Sequence, residues 1–167
     1  MNQTGRATIV NYNAIILVML IFFLISFITN ILNSILVDVQ NSFDLSLTLT
    51  GLLAFSFFIA YGIMSIPAGF LSEKYGIKTL LGISFAIMSF SSFLFAFSPS
   101  YITFSITLFV LGCCMAVLQV IINPLLRIAG GKEHFAFNSV LAQLVFGAAS
   151  FLSPFLYKYL VNDQFEN

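Results

Sequence analysis

Charged residues are scarce in this sequence. Asp, Glu, Lys and Arg make up 7% of its 167 residues, whereas 60% are hydrophobic and the mean hydropathy is +1.06. A soluble domain has about 25% charged residues, so this chain cannot cover a water-facing surface. Its net charge is zero, which gives no electrostatic reason to bind nucleic acid or anionic lipid. The composition predicts an integral membrane protein with no nucleic-acid partner.

Residues that carry chemistry are also few. The two cysteines, Cys113 and Cys114, are adjacent, and neighbouring helical side chains diverge by about 100°. We interpret them as small packing residues, because neither a CxxC pair nor a Cys/His cluster is present. The single histidine, His134, has no metal-ligand constellation around it. No acid pair and no nucleophile with a base on the same face is found, so we expect no metal, no cofactor and no enzyme activity.

Long apolar runs, by contrast, fill most of the chain. A helix needs about 20 apolar residues to cross a bilayer, and five runs meet this length. The predicted spans are TM1 14–37, TM2 47–71, TM3 79–97, TM4 101–126 and TM5 135–157, between polar tails at 1–13 and 162–167. TM1 is too long for a signal-peptide core and lacks a cleavage site, so we expect it to be retained. The predicted fold class is all-α integral membrane.

Charged residues gather in the predicted loops at 38–46, 72–78 and 129–134. Basic residues near span ends set the orientation of a membrane protein. With a cytoplasmic N-terminus, five of the six basic residues lie inside: Arg6, Lys74, Lys78, Arg127 and Lys132. We therefore expect a multi-pass protein of the plasma (cell inner) membrane, with the N-terminus cytoplasmic and the C-terminal tail outside.

TM4 carries a small, polar helical face. Its members recur every three or four residues: Gly112, Ala116, Gln119, Asn123 and Arg127. An amide without a partner in hydrocarbon costs about 2–7 kcal/mol, so Gln119 and Asn123 should face protein, water or a ligand. Pro124 removes a backbone donor and loosens the helix beside Asn123. We interpret this face as the ligand-facing wall of a membrane transporter.

Two further spans carry polar faces. TM1 has Ser26, Thr29 or Asn30, and Asn33 with Ser34, whereas TM5 has Ser139, Gln143, Gly147, Ser150 and Pro154. For TM1, helix packing and ligand contact explain the stripe equally well, and both readings stay open. The serines of TM3 are assigned to packing. The candidate solute-binding residues are Asn30, Asn33, Gln119, Asn123 and Gln143.

The segment 69–78, Gly-Phe-Leu-Ser-Glu-Lys-Tyr-Gly-Ile-Lys, resembles the loop between helices 2 and 3 of the major facilitator superfamily, Gly-x-Leu-x-Asp-Arg-x-Gly-x-Lys/Arg. It lies between the second and third spans and on the predicted cytoplasmic side, as that family requires. The resemblance implies a gating motif formed by Gly69, Glu73, Lys74, Gly76 and Lys78. In it, Glu73 would pair with a helix end and basic groups to latch the outward-open state. The alternative is a solvated turn whose lysines only set the topology.

Within that superfamily, Asn123-Pro124, Leu141-Ala142-Gln143 and Leu32-Asn33 are similar to the fucose permease-type sugar transporters (the fucose–galactose–glucose:proton symporter group). The resemblance implies a sugar-like solute. The family's pattern has membrane-embedded acids in TM1 and TM4, and this chain has Ser34 and Gln119 in their places. Neutral side chains do not titrate near pH 7, so we do not expect proton symport through this part. A facilitator, a sodium-coupled carrier and coupling in a missing half all stay open.

The number of spans also bears on the fold. Major facilitator transporters have two six-helix halves that rock around a midplane site. Five spans predict an incomplete N-terminal half, whose partners would be a missing C-terminal half, the lipid bilayer and a small neutral solute. We expect secondary active or facilitative transport by alternating access. The alternative is a non-transporting accessory subunit or a degenerate transporter remnant.

Overall fold

Five long helices account for all the regular structure of the described residues. The computed structural model describes residues 12–165, with side chains through 161. The helices are α1 Tyr12–Ser42, α2 Leu47–Tyr75, α3 Ile77–Phe97, α4 Tyr101–Gly130 and α5 Phe135–Phe165. Each is long and apolar enough to cross a membrane. The all-α membrane fold class is confirmed.

The connections are shorter than the sequence predicted. The predicted loops at 38–46, 72–78 and 129–134 were wrong in part, because α1 continues through Ser42, α2 through Tyr75 and α4 through Gly130. Likewise, α5 continues into the predicted polar tail. The physical reason is that apolarity marks the hydrocarbon layer, whereas helical hydrogen bonding continues until a turn or cap ends it.

A glycine and two serines set the tight connections. Gly76 alone separates α2 from α3, with φ +79°, a backbone conformation that favours glycine. Its N–H donates to the Ser72 carbonyl. Ser46 and Ser100 cap α2 and α4, because their hydroxyls accept hydrogen bonds from backbone N–H groups of the first turn. The chain therefore reverses direction within a few residues at each of these points.

α4 is the central helix and the most buried one. It packs against α1, α2, α3 and α5. The α2 and α4 helices run parallel. Tyr101 near the start of α4 contacts Leu49 near the start of α2, and Gln119 further along α4 contacts Tyr61 further along α2. A Cβ added at Gly112 would collide with the Phe57 carbonyl oxygen. Glycine therefore permits the close approach of α2 and α4.

α1 and α5 form the second parallel pair. The Ser26 hydroxyl donates to the Phe146 carbonyl at 2.6 Å, and the Ser153 hydroxyl donates to the Phe27 carbonyl at 3.0 Å. Both serines are fully buried. Further along, the Tyr157 hydroxyl donates to the Asp38 carboxylate. The polar groups between these helices therefore satisfy one another.

Candidate functional site

The polar face of α4 divides into two parts. Gly112 and Ala116 are buried, and Gly112 lies directly against α2. The prediction that these two residues face a ligand was wrong, because small residues here serve helix contact. Further along the same face, Asn123 and Arg127 are exposed.

The exposed part of this face lies between two covered ends. Gly130 is about five turns beyond Gly112 on the same face. A Cβ added there would collide with the Asn138 amide of α5. Thus α2 covers one end of the face and α5 covers the other. Asn123 lies in the opening between them.

Gln119 stands at the edge of this opening, half-buried. The Tyr61 hydroxyl of α2 donates to Gln119 Oε1 at 2.9 Å. Gln119 Nε2 has no hydrogen-bond partner among the described residues. Every fully buried side-chain polar atom of those residues does have a partner, so Nε2 is at least partly accessible. Asn123 makes no side-chain hydrogen bond to the described part of the chain and is exposed. One turn of α4 therefore presents an amide donor and a complete free amide.

The two candidate asparagines of α1 differ. Asn30 Nδ2 donates to the Ser26 carbonyl one turn earlier, at 2.8 Å. Asn33 is exposed, forms no hydrogen bond within the described range, and borders a narrow cleft beside Phe57 and Phe58 of α2. Asn33 is therefore free to bind a ligand, whereas Asn30 is partly satisfied within its own helix.

Gln143 of α5 is the remaining candidate. It is exposed and has no hydrogen bond to any described residue. Its neighbour Ala142 is fully buried, so Gln143 points about 100° away from the buried face. No hydrogen bond joins candidate amides of different helices within 12–161. Three helices therefore each carry an exposed amide, Asn33, Asn123 or Gln143, that has no hydrogen-bond partner among the described residues.

The segment predicted to gate the site lies at the α2–α3 junction. Glu73, Lys74 and Lys78 are exposed, and Lys74 Nζ lies 5.2 Å from the centre of the Tyr75 ring. Glu73 forms no ion pair with a described residue. A Cβ added at Gly69 would meet open space. The pairing of Glu73 with a helix end stays a prediction.

The larger grooves lie away from the amides. One, of about 390 Å³, lies between α2, α3 and α4 and includes Met64, Ile83 and Phe109. Another, of about 550 Å³, lies between α1, α3 and α4. Both are mainly apolar, as suits a lipid-facing surface. Among the described residues, no group of three His, Cys, Asp or Glu side chains could hold a metal ion.

The sequence pattern did not predict that Tyr61 is a hydrogen-bond partner of Gln119. The two residues are 58 positions apart in the sequence. Its contact depends on the parallel register of α2 and α4, which no local pattern encodes.

Comparison with known proteins agrees with this architecture. The family model of the Major Facilitator Superfamily matches residues 18–166. A glucose/galactose transporter of Brucella abortus biovar 1 (strain 9-941) is 33% identical over 147 residues, which cover 80% of this chain and 36% of that protein. An L-fucose-proton symporter of Escherichia coli (strain K12) is 28% identical over 133 residues, or 77% of this chain and 30% of that protein. The chain therefore spans about a third of the length of these curated relatives.

These matches confirm the resemblance to fucose permease-type transporters that the motifs predicted. Together with the five membrane-spanning helices, the family match over most of the chain leads to one conclusion. The chain belongs to the Major Facilitator Superfamily.

Proposed function

We propose that this chain forms part of a transporter that carries a small neutral polar solute, sugar-like, across the membrane by alternating access. The observation that carries the proposal is the set of exposed amides on three membrane-spanning helices that have no hydrogen-bond partner within residues 12–161, namely Asn33, Asn123 and Gln143. An amide facing hydrocarbon without a partner costs about 2–7 kcal/mol. The surface around each of these amides is therefore suited to water, solute or further protein rather than lipid.

The chemistry of these side chains favours an uncharged solute. Each carboxamide offers both donors and an acceptor, which matches the hydroxyl groups of a sugar. Arg127 lies one turn beyond Asn123 on the same exposed face, so the proposal of an uncharged solute rests on the match between carboxamides and hydroxyl groups and not on a lack of positive charge. The relatives are named for glucose, galactose and fucose, which supports the same solute class.

The second wall of the site would come from a C-terminal half. In this family, transport proceeds by rocking of two halves around a central site. We propose that the protein lies in the plasma (inner) membrane with its N-terminus in the cytoplasm. The segment 69–78 would then gate the site from the cytoplasmic side. Because Gly76 alone joins α2 to α3, a movement of either helix would move the other.

Cysteine labelling tests whether the amide side lines a solute pathway. In the complete transporter with Cys113→Ala and Cys114→Ala, Asn123→Cys should react with a membrane-impermeant thiol reagent. An excess of D-glucose, D-galactose or L-fucose should slow this reaction. The matched control is Ile106→Cys on the same helix, which is 54% exposed on an apolar surface and should react poorly, because the reactive thiolate does not form in lipid.

Two results would count against the proposal. If none of the three sugars slows labelling at position 123, the solute does not bind at this site. Failure of Asn123→Cys to react in every state would indicate a surface packed against another protein. That second result would favour a non-transporting accessory subunit.

A further inference from the structure

Two hydrogen bonds join side chains of different helices within residues 12–161, and a tyrosine donates both. Tyr157 donates to Asp38 between α5 and α1, and Tyr61 donates to Gln119 between α2 and α4. The second bond lies one turn of α4 before the exposed Asn123. Its position at the edge of the proposed site sets it apart from the bonds within the bundle.

The Tyr61 bond determines which end of the Gln119 carboxamide faces the opening. A carboxamide has an acceptor oxygen and a donor nitrogen on opposite sides. Because the phenol proton goes to Oε1, Nε2 points away from Tyr61 and has no described partner. The reversed orientation would place an N–H group against the phenol and leave the phenol proton without an acceptor among the described residues.

We propose that Tyr61 is a positioning residue of the solute site. It holds Gln119 in one orientation, so that Nε2 donates a hydrogen bond to an oxygen of the solute beside Asn123. This inference rests on the transport function proposed above. It adds a specificity rule: at this point the site favours solutes that present an acceptor oxygen, because the unpartnered end of the Gln119 carboxamide is its N–H donor.

The test compares Tyr61→Phe with Tyr101→Phe in the complete transporter. Both substitutions remove a tyrosine hydroxyl that bonds between α2 and α4, but Tyr101 donates to the Leu49 carbonyl near the start of the two helices. For Tyr61→Phe we expect the half-saturation concentration for D-galactose or L-fucose uptake to rise about two- to tenfold with little change in maximal rate, as for one neutral hydrogen bond. Tyr101→Phe should leave the half-saturation concentration unchanged.

A double substitution separates positioning from direct contact. In a Gln119→Ala background, Tyr61→Phe should have no further effect, because the group that Tyr61 orients is gone. An equal rise in half-saturation with and without Gln119 would overturn the proposal in favour of direct contact between the phenol and the solute. Equal losses of thermal stability in both tyrosine variants, with unchanged half-saturation, would reduce Tyr61 to a helix-packing residue.

A spectroscopic readout keeps this test separate from the transport function. In protein labelled with ¹⁵N-glutamine in lipid nanodiscs, the side-chain NH₂ signal of Gln119, assigned by Gln119→Ala, should lose order in Tyr61→Phe and keep it in Tyr101→Phe. If no sugar is taken up by the unsubstituted protein, the proposed function fails, and the positioning for a solute fails with it. If uptake occurs and the Gln119 signal does not respond to Tyr61→Phe, the positioning role alone is overturned.

Discussion

The candidate amide side chains differ in how many hydrogen bonds they make within the fold. Asn30 donates to its own helix and Gln119 accepts from Tyr61. Asn33 and Asn123 have no described partner. Residue types and helical spacing were enough to name these amides as candidates. Their hydrogen bonds could not be predicted, because those depend on which helix lies beside each one.

Asn123→Ala should weaken solute binding without weakening the fold. Asn123 is exposed and makes no hydrogen bond within the described part of the chain, so its amide contributes nothing to packing. We expect the half-saturation concentration for uptake to rise about two- to tenfold, the effect of one neutral hydrogen bond. The unfolding midpoint in detergent should be unchanged. A fall in that midpoint with normal uptake would show that Asn123 is structural.

Gln119→Glu should make uptake depend on pH. The new carboxyl group would lie half-buried with no cation described beside it, and burial disfavours its charged form. As pH rises, ionisation removes the donor at this point and adds a poorly solvated charge, so uptake should fall relative to the unsubstituted protein. Comparison of the two pH profiles measures the effect. Identical profiles would show that residue 119 does not contact the solute pathway.

At the scale of helices, close contact and shared hydrogen bonds hold two parallel pairs together. Gly112 allows α2 to approach α4, and buried serines link α1 to α5. The sequence predicted all five helices, because long apolar runs allow little else in a membrane. It placed their ends too early, since the polar residues of 38–42 and 72–75 mark the edge of the apolar layer and not the end of a helix.

Gly112→Ala should destabilise the α2–α4 pair. The added methyl group would collide with the Phe57 carbonyl oxygen, which is backbone and cannot move alone. We expect a loss of about 1–3 kcal/mol in the free energy of unfolding, typical of overpacking. Gly62→Ala on α2 is the matched control, because a Cβ there meets nothing within 4 Å. Equal stability of the two variants in a detergent denaturation assay would refute the close approach.

Removal of the α1–α5 serine bonds should have a smaller effect. Ser26→Ala and Ser153→Ala each leave a backbone carbonyl without its side-chain partner. We expect losses of about 0.6 kcal/mol each, the average for such bonds in membrane proteins. Ser89→Ala on the exposed surface of α3 is the control and should change nothing. Losses confined to Ser89→Ala would contradict the assigned packing.

At the scale of the whole molecule, the exposed surface of the bundle is largely apolar and includes the amides of Asn33, Asn123 and Gln143, which have no partner among the described residues. α4 lies at the centre of the bundle and packs against the other four helices. The superfamily was predictable, because the motif at 69–78 combines sequence, position and predicted side. The pairing of α1 with α5 and of α2 with α4 was not, since it joins segments that no local periodicity connects.

Uptake of labelled sugar by the complete transporter tests the central claim most directly. We predict saturable uptake of D-glucose, D-galactose or L-fucose into proteoliposomes. In the double variant Gln119→Ala/Asn123→Ala, the half-saturation concentration for uptake should rise by more than in Asn123→Ala alone, while the protein stays folded. An unchanged half-saturation concentration in the folded double variant, or the absence of uptake for all three sugars, would contradict the account.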